Sequence, residues 1–166
     1  MDKLLAIPVI LVLVMLQIGI FGNLTLLHGS PDIVLVAVIV WALNERVESG
    51  WSWGIVAGLM VGFISAHPLV AILAGYLAVT GFARYLHKRV WQAPILAVLV
   101  TTLFGTLVMA AIAMIDLQLK GSGFSIDDAI FQIVLPSVLM NLLFALPIHI
   151  LFLDFVDWVY PLKDEV

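Results

Sequence analysis

Apolar residues run along this chain in long blocks, and polar residues gather in the short breaks between them. The blocks are Leu4–Phe21, Pro31–Leu43, Trp51–Ile64, Pro68–Ala83, Pro94–Ile115 and Ile130–Phe155. The breaks read GNLTLLHGS, NERVESG, SAH, RYLHKRVWQ and DLQLKGSGFSIDD. A transmembrane helix needs about 20 apolar residues, or fewer where flanking groups snorkel or the bilayer thins. The pattern predicts an all-α, polytopic membrane protein with six transmembrane helices, forming a single integral-membrane domain over residues 1–166. The second and third blocks are short, so they are expected to tilt, to be partly irregular, or to be buried by longer neighbours.

Composition supports lipid as the main surroundings. Of 166 residues, 64% are hydrophobic and 11% charged, with a mean hydropathy of +1.22. A soluble domain is about half apolar and a quarter charged. Seven basic and eleven acidic residues cannot clothe a globule of this length. The net charge of −4, with RYLHKR the one basic cluster, argues against a nucleic-acid partner. The lack of cysteine excludes disulfides, thiolate metal sites and a cysteine nucleophile. The first block carries one lysine and no small-x-small cleavage site, so it reads as a retained span, not a signal peptide.

Orientation follows from the basic residues beside the blocks. If the first connection lies outside, Lys3, Arg46, Arg84, Lys88, Arg89 and Lys163 lie inside, against Lys120 outside. Both termini are therefore expected in the cytoplasm. Trp41, Trp51, Trp53, Trp91 and Trp158 fall at the same inner ends, as expected of interfacial indoles.

The second block opens Gly29-Ser30-Pro31-Asp32 and then runs eleven residues with no charged, hydroxyl or amide side chain. Ser30 suits an N-cap, Pro31 the first helical position, and Asp32 the positive end of the helix dipole. This predicts a helix start at the outer membrane lip.

Small residues suggest where helices meet. Gly50, Gly54, Gly58 and Gly62 recur every fourth residue, and the fourth block adds Ala71, Gly75, Ala78 and Gly81. Close backbone approach over small residues is what holds helices together in lipid. A tight antiparallel pair of the third and fourth spans is expected, with a partner protein as the other candidate neighbour. In the last block Pro136 and Pro147 each remove a donor, and Asn141 lies between them, where a bare amide calls for a partner on another helix. His67 reads as a solvated loop residue, and His149 and Asp154 as structural or snorkelling groups. The sequence contains no nucleophile-elbow, HExxH or paired-aspartate motif, so no catalytic set, metal or cofactor is expected. A small-molecule site would have to draw on Gln17, Asp32, Thr101, Thr102, Thr106, Asn141 and His149.

Taken together and in order, GSPDIVLVAVIVWAL, GIVAGLMVGFISAHPLVAILAGYLAVTGFARYLHKR and LPSVLMNLLFALPIHILF resemble the rod shape-determining protein MreD family. The matching positions are Pro31 and Asp32, Gly54 and Gly58, Pro68 and Leu69, Gly75 and Tyr76, the basic run Arg84–Arg89, and Pro136, Asn141 and Pro147. The chain departs from the pattern at Gly62, where the family often has an aspartate, so packing takes the place of charge there. The resemblance implies a fold similar to the substrate-binding subunits of energy-coupling-factor transporters. It also implies a non-enzymatic scaffold in the bacterial inner membrane that binds an MreC-type bitopic protein. Through that protein it would join a RodA-type glycosyltransferase and a class B penicillin-binding protein in peptidoglycan synthesis during cell elongation. The alternative reading is a small-molecule-binding membrane subunit of a vitamin-type transporter.

Overall fold

The computed structural model describes residues 2–88, 93–121 and 125–161, so Arg89, Trp91 and Lys163 lie outside the described residues. The elements are α1 (Asp2–Gly19), a 3-10 turn (Phe21–Asn23), α2 (Ile33–Leu43), α3 (Gly50–Ile64), α4 (Leu69–His87), α5 (Pro94–Leu119), α6 (Ile126–Ala129), a π turn (Ile130–Val134) and α7 (Leu135–Val159). All are helical. The α1, α4 and α5 segments and the run Ile126–Val159 are long and apolar enough to cross a membrane.

The short α2 is the axis of the bundle. At 11 residues it is about 16 Å long at 1.5 Å per residue, well short of a hydrocarbon core of roughly 30 Å. Every residue from Ile33 to Ala42 is buried. Its neighbours are α7, α4, α3 and α5, with α1 touching it less. A helix buried on all sides needs no polar face, which explains the uninterrupted IVLVAVIVWA.

Hydrogen bonds gather alternate helix ends, so consecutive helices run in opposite directions. At one end, here the Asp32 end, Gln17 of α1 meets the start of α2, and His67 of the α3–α4 turn meets Asp116 of α5. At the opposite end, the Arg46 end, Arg84 donates to the Val47 carbonyl and His87 to the Leu43 carbonyl. Arg46 pairs there with Asp157 of α7.

The glycine strip lies inside this bundle. α3 and α4 form the most extensive helix pair. A methyl group on Gly54 would collide with Thr80, and one on Gly58 would lie 3.1 Å from Leu73 Cα and 3.2 Å from Tyr76 Cβ. Gly62 faces Leu69, and Gly75 faces Met109 and Ile112 of α5. These small residues are filled by the chain's own helices.

The prolines of the last block act locally. An α-helical residue at position 136 would donate its amide to the Gln132 carbonyl, but proline has none to give. The freed carbonyl accepts the His28 amide at 3.0 Å, just where the helix is wound as a π turn. This bond docks the α1–α2 connection onto the start of α7. Gly29 fits that dock tightly, because a Cβ there would sit 2.6 Å from Ser137 N and 2.7 Å from Ile133 O. Both neighbours are backbone and cannot rotate away. We therefore expect Gly29→Ala to cost about 1–3 kcal/mol as an overpacking defect, read as a lower melting temperature of the purified protein. Pro147, by contrast, lies within an uninterrupted α7.

The tryptophan expectation needs correction. Trp51 and Trp158 are exposed, but Trp41 and Trp53 are fully buried and stack on each other with ring centroids 4.2 Å apart. Phe152, Phe155 and Tyr160 close around Trp41. These two indoles form core, because the short α2 ends inside the bundle and brings Trp41 with it.

Candidate functional site

The polar residues of the helices converge at the Asp32 end of α2. Asp32 itself, and not Ser30, is the N-cap: its Oδ1 accepts the Leu35 amide at 3.0 Å, and the helix begins at Ile33 with Pro31 outside it. Aspartate is as good a cap as serine, and the side chain placed three residues before the orphan amide takes the role. Tyr76 of α4 donates to the same oxygen over 3.4 Å.

Around this cap the other helices add their own bonds. The Asp32 amide donates to Asn141 Oδ1 of α7 at 2.6 Å. Asn141 Nδ2 donates in turn to Thr106 Oγ1 of α5 at 2.9 Å, and that hydroxyl donates to the Thr102 carbonyl at 2.8 Å. Gln17 Oε1 of α1 accepts the Val34 amide at 3.0 Å. The start of α2 is thus tied to four other helices. Three of its orphan amides, those of Asp32, Val34 and Leu35, are satisfied by side chains, as a buried helix end requires.

The position of this latch also revises the expected membrane-lip site. Tyr76 is seven residues into α4, about 10 Å along its axis, and Asn141 is six residues into α7. Asp32 is therefore recessed among helices that extend past it. The space beyond it is a cavity of about 320 Å3, walled by the polar residues Gln17, Asp32, Thr106, Ser137 and Asn141 and by the apolar Ile72, Met109 and Ala113.

The Arg46 end of α2 leaves a second opening, of about 390 Å3, lined by Asn44, Arg46, His87, Val98, His149 and Asp157. Both cavities follow from one cause: a central helix shorter than its neighbours. His149 Nδ1 is buried without a partner among the described residues.

Of the seven polar residues singled out from the sequence, Gln17, Asp32, Thr106 and Asn141 come together. Thr101 and Thr102 are buried in α5, their hydroxyls without a partner among the described residues, and His149 lines the other cavity. His67 is not the solvated loop residue expected. Its Nδ1 lies 2.6 Å from Asp116 Oδ2, and Lys120 Nζ reaches the same oxygen at 2.7 Å and the Ala66 carbonyl at 3.0 Å. The spacing of Asp116 and Lys120, four apart on one helix, was the available signal. Among the described residues no cluster of three or more metal-ligating side chains occurs. Comparison of the chain with protein-family models, with curated proteins and with solved structures finds no match.

Proposed function

We propose that the chain is a scaffold of the MreD kind, without chemistry of its own, crossing a bacterial inner membrane six times with both termini in the cytoplasm. In this reading it holds an MreC-type bitopic protein and, through it, a RodA-type glycosyltransferase and a class B penicillin-binding protein of the elongation machinery. Its fold would be similar to that of the substrate-binding subunits of energy-coupling-factor transporters.

The observation that carries this reading is what the chain does with Pro31-Asp32, one of the motifs of the resemblance. Asp32 caps the central helix and joins it to α4 and α7. Asn141, another matching position, completes the joint. Residues used in this way hold a frame in one shape. The distribution of Arg46 and Arg84 at one end and Lys120 at the other supports the orientation.

Such a frame offers a partner apolar helix surface. Along α1, Ala6, Ile10 and Val14 are buried, whereas Leu4, Ile7, Leu11, Met15 and Ile18 are turned outward and exposed. A partner's single span can pack on this row by contact alone. The test is co-purification of the tagged chain with an MreC-type protein from detergent extracts. Leu11→Trp combined with Met15→Trp is expected to reduce recovery of the partner at least ~10-fold, equivalent to about 1.4 kcal/mol of binding, with the melting temperature unchanged. Failure of the unmodified chain to retain the partner would remove the scaffold reading. Retention by the double variant would remove only the α1 face.

A further inference from the structure

We infer that the cavity at the Asp32 end is a binding site for a small molecule carrying an ammonium group, with the Asp32 carboxylate as its counter-ion. The inference does not depend on the scaffold reading.

Size comes first. At about 320 Å3 the cavity falls in the range of small-molecule sites and has room for about a dozen non-hydrogen atoms at the packing density of protein interiors. Its wall is mixed. Gln17, Asp32, Thr106, Ser137 and Asn141 contribute polar groups, and Ile72, Met109, Ala110 and Ala113 contribute apolar surface. A wall of this kind orients a ligand that has one polar end and a short apolar body.

Charge selects which polar end. Asp32 is only partly buried and borders the cavity; its Oδ1 accepts the Leu35 amide and the Tyr76 hydroxyl, and its carboxylate is also hydrogen-bonded by the neutral Gln17 side chain. Among the described residues lining the cavity there is no lysine or arginine. His67 borders it as well, but its Nδ1 is engaged by Asp116. A recessed carboxylate with no cation beside it is electrostatically unfavourable, and an arriving cation relieves this while an anion aggravates it. The positive end of α2, which would otherwise invite an anion, is already occupied by Oδ1. The amide oxygens do not compete for the role, since Gln17 Oε1 and Asn141 Oδ1 accept backbone amides of α2.

Ammonium groups reach such a site either on a soluble amine or on the ethanolamine head of a phospholipid. The chemistry at Asp32 is the same for both, and the experiment separates them. Purified full-length protein is titrated with hexylammonium, hexanol and hexanoate, and in a second arm with dihexanoyl phosphatidylethanolamine and dihexanoyl phosphatidylglycerol. Saturable binding of hexylammonium is expected at least ~10-fold tighter than that of hexanol, and hexanoate is expected to bind weakest. Preferential binding of the ethanolamine lipid over the glycerol lipid, beyond what hexylammonium shows, would assign the amine to a lipid head. The reverse would assign it to a soluble amine.

Asp32→Asn keeps a side-chain oxygen for the Leu35 amide, and asparagine caps as well as aspartate. This variant is expected to stay folded and to bind hexylammonium no better than hexanol. Ala113→Phe fills cavity space without altering Asp32 and is expected to weaken every probe ~10-fold or more, which keeps the test decisive if Asp32→Asn unfolds. Equal binding of hexylammonium and hexanol, or unchanged ammonium binding in both variants, would overturn the assignment.

Discussion

Gly54→Leu combined with Gly58→Leu is expected to leave little or no folded protein. The two residues are one turn apart on α3, and both lie tightly against α4, Gly54 on the Thr80 side chain and Gly58 on the Leu73 backbone. At Gly58 a Cβ alone would already lie 2.9 Å from Leu73 Cδ1 and 3.1 Å from Leu73 Cα. A leucine adds three further carbons in the same direction. Overpacking by single methylenes costs about 1–3 kcal/mol, and neither helix can yield sideways, because α2 is packed on both. Two such insertions along one seam should cost well above about 3 kcal/mol, a large part of the roughly 5–15 kcal/mol that holds a typical domain together. The measurement is the monodisperse fraction on size-exclusion chromatography and the melting temperature in detergent. Gly19→Leu is the control, since nothing lies within 4 Å of a Cβ at that position. Should the double variant melt like the unmodified chain, α3 and α4 would not meet as closely as described. Because this seam is internal, the same variant cannot serve as a test of partner binding: loss of a partner would follow from loss of the frame.

How far the sequence disclosed this arrangement depends on the range of the signal. Apolar block length located every long helix, with ends displaced by a few residues, as at α4, which runs on to His87. The four-residue glycine period named the α3–α4 seam because period and partner both lie within two adjacent helices. Asn141 was legible as an amide in need of a partner, but Thr106 and the Asp32 amide were not, because pairings 35 and 109 residues apart leave no mark in local spacing. The recessed position of Asp32 was missed for a geometric reason. Its block predicts a start at the membrane surface, whereas the short helix of 11 residues begins level with Tyr76 and Asn141, seven and six residues inside α4 and α7. The same shortness carries Trp41 into the core and opens a cavity beyond each end. The dock of the α1–α2 connection on α7 was hidden in Pro136, whose missing amide could be read from sequence, whereas the donor to the Gln132 carbonyl it frees was not visible until His28 was placed.

Asn141→Leu should be the costliest single change at the polar latch, at about 3 kcal/mol. Two effects enter, and their sizes can be separated. Loss of the bond from Asn141 Nδ2 to Thr106 Oγ1 is the smaller, because interhelical side-chain hydrogen bonds in membrane proteins average about 0.6 kcal/mol and reach about 1.7. The larger is the Asp32 amide, which loses its acceptor at the buried start of α2 and incurs about 1–3 kcal/mol for an unsatisfied buried donor. Leucine has the branching of asparagine with bulkier methyl ends, so no cavity opens at the site, and overpacking adds to the loss. Thr106→Val removes the same interhelical bond but leaves the Asp32 amide paired, and should cost about 1 kcal/mol. The double variant should then melt close to Asn141→Leu alone, because the one bond that Thr106→Val removes is already absent there. A coupling near 1 kcal/mol or less would place the strength of the latch in the α2–α7 joint. If instead Asn141→Leu costs no more than Thr106→Val, the Asp32 amide must find a substitute acceptor, and the adjoining cavity makes water the available one. That outcome would show the cavity to be wet up to the cap of α2, and it would weaken the latch as the element that holds the central helix in place.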